Sequence, residues 1–327
     1  MPVLSPTRRH LAGLLGAASA LQLVAPSLAW GQAQLATADP APQPPPPVSG
    51  LEPDQDPTKV AAERNPFEQL TVPVSVNGQG PFVFLVDTGA NTTCISQKVA
   101  QALSLPPGPT LHVHTVVGVK PRASVSVDEL RIGTRTRKRV RIPSLPIVGM
   151  DVDGVLGVDW LKGQRLVLGF QSKSLEITRS KSDVSSQGQV VVPARRKSGQ
   201  LTIVDADLNG QPISAMLDSG SQLSVGNAAL RQLVLNSELG RREKPTMINV
   251  VSLTGESFTA DQRYLPFIRL GGLQMGNVPV AFADVHVFKL WNLVEKPALV
   301  LGMDILAQFE TVAIDFGRSF VRFDLSA

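Results

Sequence analysis

Two stretches of this chain repeat the same order of chemistry, and the repetition limits the folds open to it. Phe82-Val83-Phe84-Leu85-Val86 runs as an apolar strand into Asp87-Thr88-Gly89-Ala90. Ile213-Ser214-Ala215-Met216-Leu217 runs the same way into Asp218-Ser219-Gly220-Ser221. Strands of this composition are buried, so an acid at the end of one must be hydrogen-bonded or carry a task. One such run would read as a strand that ends in a turn. Two, one per half, predict a single site built where the halves of a duplicated fold meet.

The duplication can be followed along both halves. Each copy opens with a strand ending in an Asn-Gly turn signal, Val72 to Gly78 and Leu201 to Gly210. From Asn77 to Asp87 is ten positions and from Asn209 to Asp218 is nine, one extra residue (Gly80 or Pro81) lengthening the first turn. A short helix is expected after each acid motif, at Gln97 to Leu103 with Ser96 as N-cap and at about Asn227 to Leu235. Alternating strands around Gly118 and around Gly255 come next. Each copy then reaches an apolar-apolar-Gly unit, Val155-Leu156-Gly157 and Val300-Leu301-Gly302. A pair of strands closes each, Arg165 to Phe170 with Leu175 to Thr178, then Thr311 to Phe316 with Phe320 to Leu325. The expected fold class is all-β, with two halves of one topology and few short helices.

A chain of 327 residues is long enough for one large domain or two modest ones, each with its own core. A net charge of +4 with no aromatic-plus-basic pattern argues against a dedicated nucleic-acid binder. Residues 1–33 read as an export signal: Arg8-Arg9 precede an apolar run from Leu11 to Ala29, with cleavage expected after Ala29 or Ala33. The paired arginines after Thr7 resemble a twin-arginine signal, although His10 departs from its strongest form. The expected location is periplasmic or secreted. An uncleaved anchor is the rival reading, and Pro26 and the polar residues from Gln32 oppose it. Residues 34–64 include Gln43-Pro44-Pro45-Pro46-Pro47 and read as an unordered Pro-rich tether. The halves are then 65–182 and 183–327, joined through a Ser-rich connection near Ser180 to Gly188. A single cysteine, Cys94, rules out an internal disulfide and reads as a small buried hydrophobe.

Taken together, Asp87-Thr88-Gly89-Ala90, Asp218-Ser219-Gly220-Ser221, Val155-Leu156-Gly157 and Val300-Leu301-Gly302 resemble the paired signatures of the retropepsin-like aspartic proteases. The likeness is specifically to their bacterial single-chain, two-repeat relatives, with pepsin-like enzymes more distant. The resemblance implies two β-barrel halves with an active cleft between them, Asp87 and Asp218 as catalytic acids, and a peptide or protein substrate. It also implies that the Thr88 and Ser219 hydroxyls hydrogen-bond across the junction, with Ser219, lacking a methyl, the looser side. The segments around Gly118 and Gly255 are candidate flaps, although neither has the double-glycine tip of the viral enzymes.

The chemistry follows from the acids themselves. Two carboxyls a few ångströms apart cannot both ionise, so one proton is shared. The ionised partner can take a proton from a water as the protonated one donates to the amide oxygen. No metal or cofactor is required, and none is expected. Gly89 and Gly220 are expected to bring the turn close to the acids and aim N–H groups at them. A hydroxyl at Ser221, where the first copy has Ala90, would stabilise Asp218 if it pointed there. A monomer is expected, because one chain supplies both acids. The alternative is a non-cleaving peptide-binding or scaffolding protein of the cell envelope, which would not need two adjacent acids.

Other groups have plainer readings. His112 and His114 share a strand face and suggest a partly exposed strand rather than a metal site. The basic run Arg135 to Arg141 reads as a solvated strand edge, with an acidic partner or membrane surface as its alternative. Asp159 and Asp304 are expected to open short helices. Tyr264 and Trp291 could line the cleft or pack elsewhere.

Overall fold

The computed structural model describes residues 56–161, 163–182, 188–197, 200–237, 240 and 244–325. The stretch read as an export signal, and most of the stretch read as a Pro-rich tether, lie outside the described residues. Among the described residues, no helix is long and apolar enough to cross a membrane.

Each half is a closed six-stranded barrel. In the first, the order is Leu70–Val76, Gln79–Val86, Gly154–Leu156, Cys94–Ser96, Arg135–Leu145 and Gly118–Ile132. Pairing of Ser75 and Val76 with Arg131 and Leu130 closes the ring. The second repeats that order with Gln200–Leu208, Gln211–Leu217, Ala298–Leu301, Val225–Gly226, Leu273–Phe282 and Ser257–Leu270. It closes where Ala206 and Asp207 meet Leu270 and Arg269. Alternation drives the packing: Leu70, Val72, Val74 and Val76 all turn inward from one strand. The expected short helices form at Gln97–Ala102 and Ala228–Leu235, capped by the side chains of Ser96 and Asn227.

The terminal strand pairs of the two halves join one sheet. Gln164–Gly169 pairs antiparallel with Phe309–Asp315, so the halves are bound by backbone hydrogen bonds as well as apolar contact. Asp315, fully buried, accepts from the Ser180 hydroxyl and the Lys181 N–H and so anchors the start of the connection between halves.

This sheet corrects the tether's boundary. Thr58–Ala61 forms an edge strand on Ser174–Ile177, and Glu63–Arg64 pairs with Leu70 and Thr71. Ordered pairing therefore begins ahead of Asn65. The cause is a distant strand edge that Thr58 and Val60 cover with buried side chains.

The basic run is also less solvated than its composition suggests. Arg135 is buried and bonds Gln164, while Arg137 pairs with Asp159 at 2.6 Å and lies over the Trp160 ring. Lys138, Arg139 and Arg141 are exposed.

Candidate active site

The acid loops are fixed from three directions. Each acid ends a strand that runs parallel to its half's second signature, Val86 beside Leu156 and Leu217 beside Leu301. The Asp87 N–H donates to the Leu156 carbonyl at 3.0 Å, and that of Asp218 to Leu301 at 2.9 Å. The signature glycines are small because the acid loops pass over them. A Cβ on Gly157 would lie 2.7 Å from the Thr92 carbonyl carbon, and one on Gly302 would lie 2.5 Å from that of Leu223.

Within each loop two backbone N–H groups converge on one carboxylate oxygen. Oδ1 of Asp87 accepts from Gly89 at 2.7 Å and Ala90 at 3.0 Å. Oδ1 of Asp218 accepts from Gly220 at 2.9 Å and Ser221 at 3.1 Å. Gly89 also faces the other acid: a Cβ there would stand 2.6 Å from both carboxylate oxygens of Asp218. A close approach, rather than a left-handed backbone, therefore requires glycine at this position.

Across the junction the two loops exchange hydrogen bonds. The Thr88 N–H donates to Ser219 Oγ at 3.1 Å, and the Ser219 N–H to Thr88 Oγ1 at 3.0 Å. Each hydroxyl then donates into the opposite half, Thr88 to the Leu217 carbonyl at 3.0 Å and Ser219 to that of Val86 at 2.8 Å. The Ser219 side is as tight as the Thr88 side, so the missing methyl does not loosen it.

The Ser221 hydroxyl points away from Asp218 and donates to the Leu223 carbonyl at 2.7 Å. The turn offers it a carbonyl two residues on, and both acids are left with the same backbone donors. Burial pushes the Asp87 carboxyl well above the usual carboxylate range, with further upward pressure from the Asp218 charge. Asp218 is also raised, again chiefly by burial, against the pull of the Asp87, Gly220 and Ser221 hydrogen bonds.

A supporting layer escaped the sequence reading. Thr93 and Ser224, at the same offset from each acid, take the signature-glycine N–H groups, Gly157 at 3.1 Å and Gly302 at 3.0 Å. Their hydroxyls donate to Asp159 and Asp304, both at 2.7 Å. These two acids do open short helices, as expected. They also tie the signature strand to the acid loop. Burial lifts Asp304 to about 6, and it lifts Asp159 against the pull of Arg137. A hydroxyl repeated at one offset in both copies was the available signal.

The hairpins that carry Gly118 and Gly255 each cross to the opposite half. Val116 is buried in a cluster with Met216, Val225, Phe288 and Val300, and its carbonyl accepts from the His286 N–H at 2.6 Å. Leu253, the matching residue, is buried with Leu85, Cys94, Val113 and Val155 of the first half, and its carbonyl accepts from the Val148 N–H at 3.0 Å. An ion pair at 3.3 Å between Arg122 and Glu256 links the two hairpins. Asp87 and Asp218 are 1% and 5% exposed, so they are shut off from solvent in this arrangement. Cys94 is buried, and burial pushes its thiol well up, in keeping with a packing role. Trp291 packs in the core and Tyr264 on the surface. Among the described residues, no group of three or more His, Cys, Asp or Glu is arranged to hold a metal.

The strand is partly exposed, as expected: His112 faces solvent and His114 does not. His114 is buried, stacks on His286 with ring centroids 5.1 Å apart, and its Nδ1 lies 2.9 Å from His286 Nε2. One of these nitrogens donates and the other accepts, so the contact requires a proton-free nitrogen. Both rings are held below the usual histidine range, His114 by burial and the His286 charge, His286 by burial and Lys289. The neutral pair therefore contributes fully above about pH 6.5, and the contribution is lost as pH falls from there through the lowered values. Hydrogen exchange at the residue-286 amide, which donates to the Val116 carbonyl, is expected to be faster at pH 5.5 than at pH 7.5 after correction for intrinsic rates. Replacing both rings, His114→Asn together with His286→Asn, leaves nothing to charge and removes the difference; equal protection of the native chain at both pH values contradicts the assignment.

Residues 72–163 match the family described as gag-polyprotein aspartyl protease, and residues 204–305 match the aspartyl protease family. No curated protein matches the chain. The two matched segments carry one acid loop and one signature glycine apiece. With two such domains in tandem on two equivalent barrels, the chain belongs to the retropepsin-like aspartic proteases and carries the family's repeat twice.

Proposed function

We propose that this chain is an exported aspartic endopeptidase, active as a monomer, which hydrolyses peptide bonds with a water activated between Asp87 and Asp218. The observation that carries the reading is the pair of buried acids, one from each half, whose loops are locked by the Thr88–Ser219 exchange. Their raised proton affinity favours a pair that keeps one proton near neutrality. One carboxylate then serves as base toward water while its protonated neighbour donates to the scissile carbonyl oxygen, and the roles reverse as the amine leaves. Binding alone would not call for two buried acids whose ionisation is opposed, which favours the enzyme over a non-cleaving peptide binder.

The hairpins act as flaps that must lift from the opposite half before an extended peptide enters. Export rests on the N-terminal pattern of residues 1–33 and is tested by sequencing the mature N-terminus from a periplasmic fraction. The activity is tested with a mixed peptide library, with and without a statine-type inhibitor. Cleavage that the inhibitor blocks supports the reading. Inhibitor-sensitive peptide binding without cleavage across pH 4 to 8 would replace it with the scaffold alternative.

A further inference from the structure

Gln69 lies ahead of the first matched segment and belongs by sequence to the first half, yet its side chain reaches the acid loop of the second. It is fully buried, and its amide N–H donates to the Gly220 carbonyl. The carbonyl of Gly220 and the N–H of Ser221 form one peptide unit, and that N–H donates to Asp218 Oδ1 at 3.1 Å. A continuous line of donors therefore runs from Gln69 through a single peptide plane to the carboxylate. Pulling electron density toward the carbonyl strengthens the N–H at the other end of the plane, as in other hydrogen-bond chains.

The side chain is itself held in place. Asn65 Nδ2 donates to Gln69 Oε1 at 2.8 Å, which fixes which face of the amide carries the N–H groups. Asn65 Oδ1 accepts from the Phe67 and Gln69 backbone N–H groups at 2.9 and 3.1 Å, and the Asn65 N–H donates to the Gln69 carbonyl at 3.0 Å. The next residue, Leu70, is buried in the barrel. A tight turn thus presents one amide to the opposite half at a fixed height.

We infer that Gln69 is a positioning residue of the active site: it orients the Gly220–Ser221 peptide so that the Ser221 N–H is aimed at Asp218. The inference rests on the protease reading for its effect on catalysis but not for its effect on Asp218 itself. A carboxylate that loses an N–H donor binds its proton more tightly. Gln69→Met keeps length and bulk and removes the donor. In that variant the carboxyl 13C titration of Asp218 is expected to move to higher pH. The acid limb of kcat should follow it, with kcat down about 10-fold or more and KM changed less than about 3-fold.

Gln69→Glu places an ionisable donor at the same point. Its activity relative to the native chain should recover in acid, where the neutral carboxyl can donate to Gly220, and fall at higher pH. If Gln69→Met does not fold, Asn65→Ser frees the same amide without touching Gly220, and its Asp218 titration decides the matter. An unmoved Asp218 titration in a folded variant, with activity lost only in proportion to unfolding, overturns the inference and leaves Gln69 a scaffold residue. If the native chain cuts no peptide but the Asp218 titration still moves, the protease reading fails and the positioning role stands.

Discussion

Asp218→Asn and Asp87→Asn are each expected to lower peptide hydrolysis by at least about 10³-fold while leaving a folded protein, because each removes one half of the proton exchange. The variants should also be more stable than the native chain near neutral pH. Asn keeps an oxygen for the Gly89 and Ala90, or Gly220 and Ser221, N–H groups. It removes an acid whose charge is opposed by burial. A group whose folded pKa is raised adds most stability below its unfolded pKa, about 3.9, and that contribution is lost as pH rises through the folded value. The advantage of the Asn variants should therefore be absent near pH 4 and grow to a few kcal/mol by pH 8, on the order of 1.4 kcal/mol for each tenfold gain in proton affinity on folding. Urea melts at the two pH values measure it. Residual activity near the native level, or a stability difference that does not change with pH, would show that these acids are not a strained pair.

The second large effect concerns the lock between the loops. Thr88→Val removes a hydroxyl that donates to the Leu217 carbonyl and accepts the Ser219 N–H; Ser219→Ala removes the mirror-related pair. Each change strands a buried carbonyl and a buried N–H in the opposite half, at a cost of about 2–4 kcal/mol. The double variant should cost less than the two single losses combined, because the two hydroxyls share one closed network. Activity should fall faster than stability, since both carboxyls take their positions from these loops. Thr88→Ser keeps every hydrogen bond and should remain near native. Simple additivity of the two single losses would mean that the loops are held apart from one another.

What could be read from the sequence was what is local and repeated. The acid strands, the short helix after each acid motif and the signature glycines each follow from a short stretch whose chemistry appears twice. Contacts that depend on distant partners left no local trace. Thr58 joins a strand only because Ile177 offers an edge, and Arg135 is buried because Gln164 is there to receive it. The histidine pair joins positions 172 residues apart, and nothing around His286 announces it. Composition also cannot choose a rotamer, which is why the Ser221 hydroxyl could be placed near Asp218 but turns to Leu223. The hairpins were legible as hairpins. Their crossing to the opposite half was not, because Val116 and Leu253 read as ordinary turn-flanking apolar residues until the halves are assembled.

The most direct measurement is a 13C-carboxyl titration of aspartate-labelled protein, with Asp87→Asn and Asp218→Asn used to assign the two signals. Two buried acids that share a proton should titrate as a linked pair with at least one step well above the ordinary aspartate range. Removing either acid should shift the step of the one that remains. Two independent steps near pH 4, each indifferent to loss of the other, would mean that the acids do not act together.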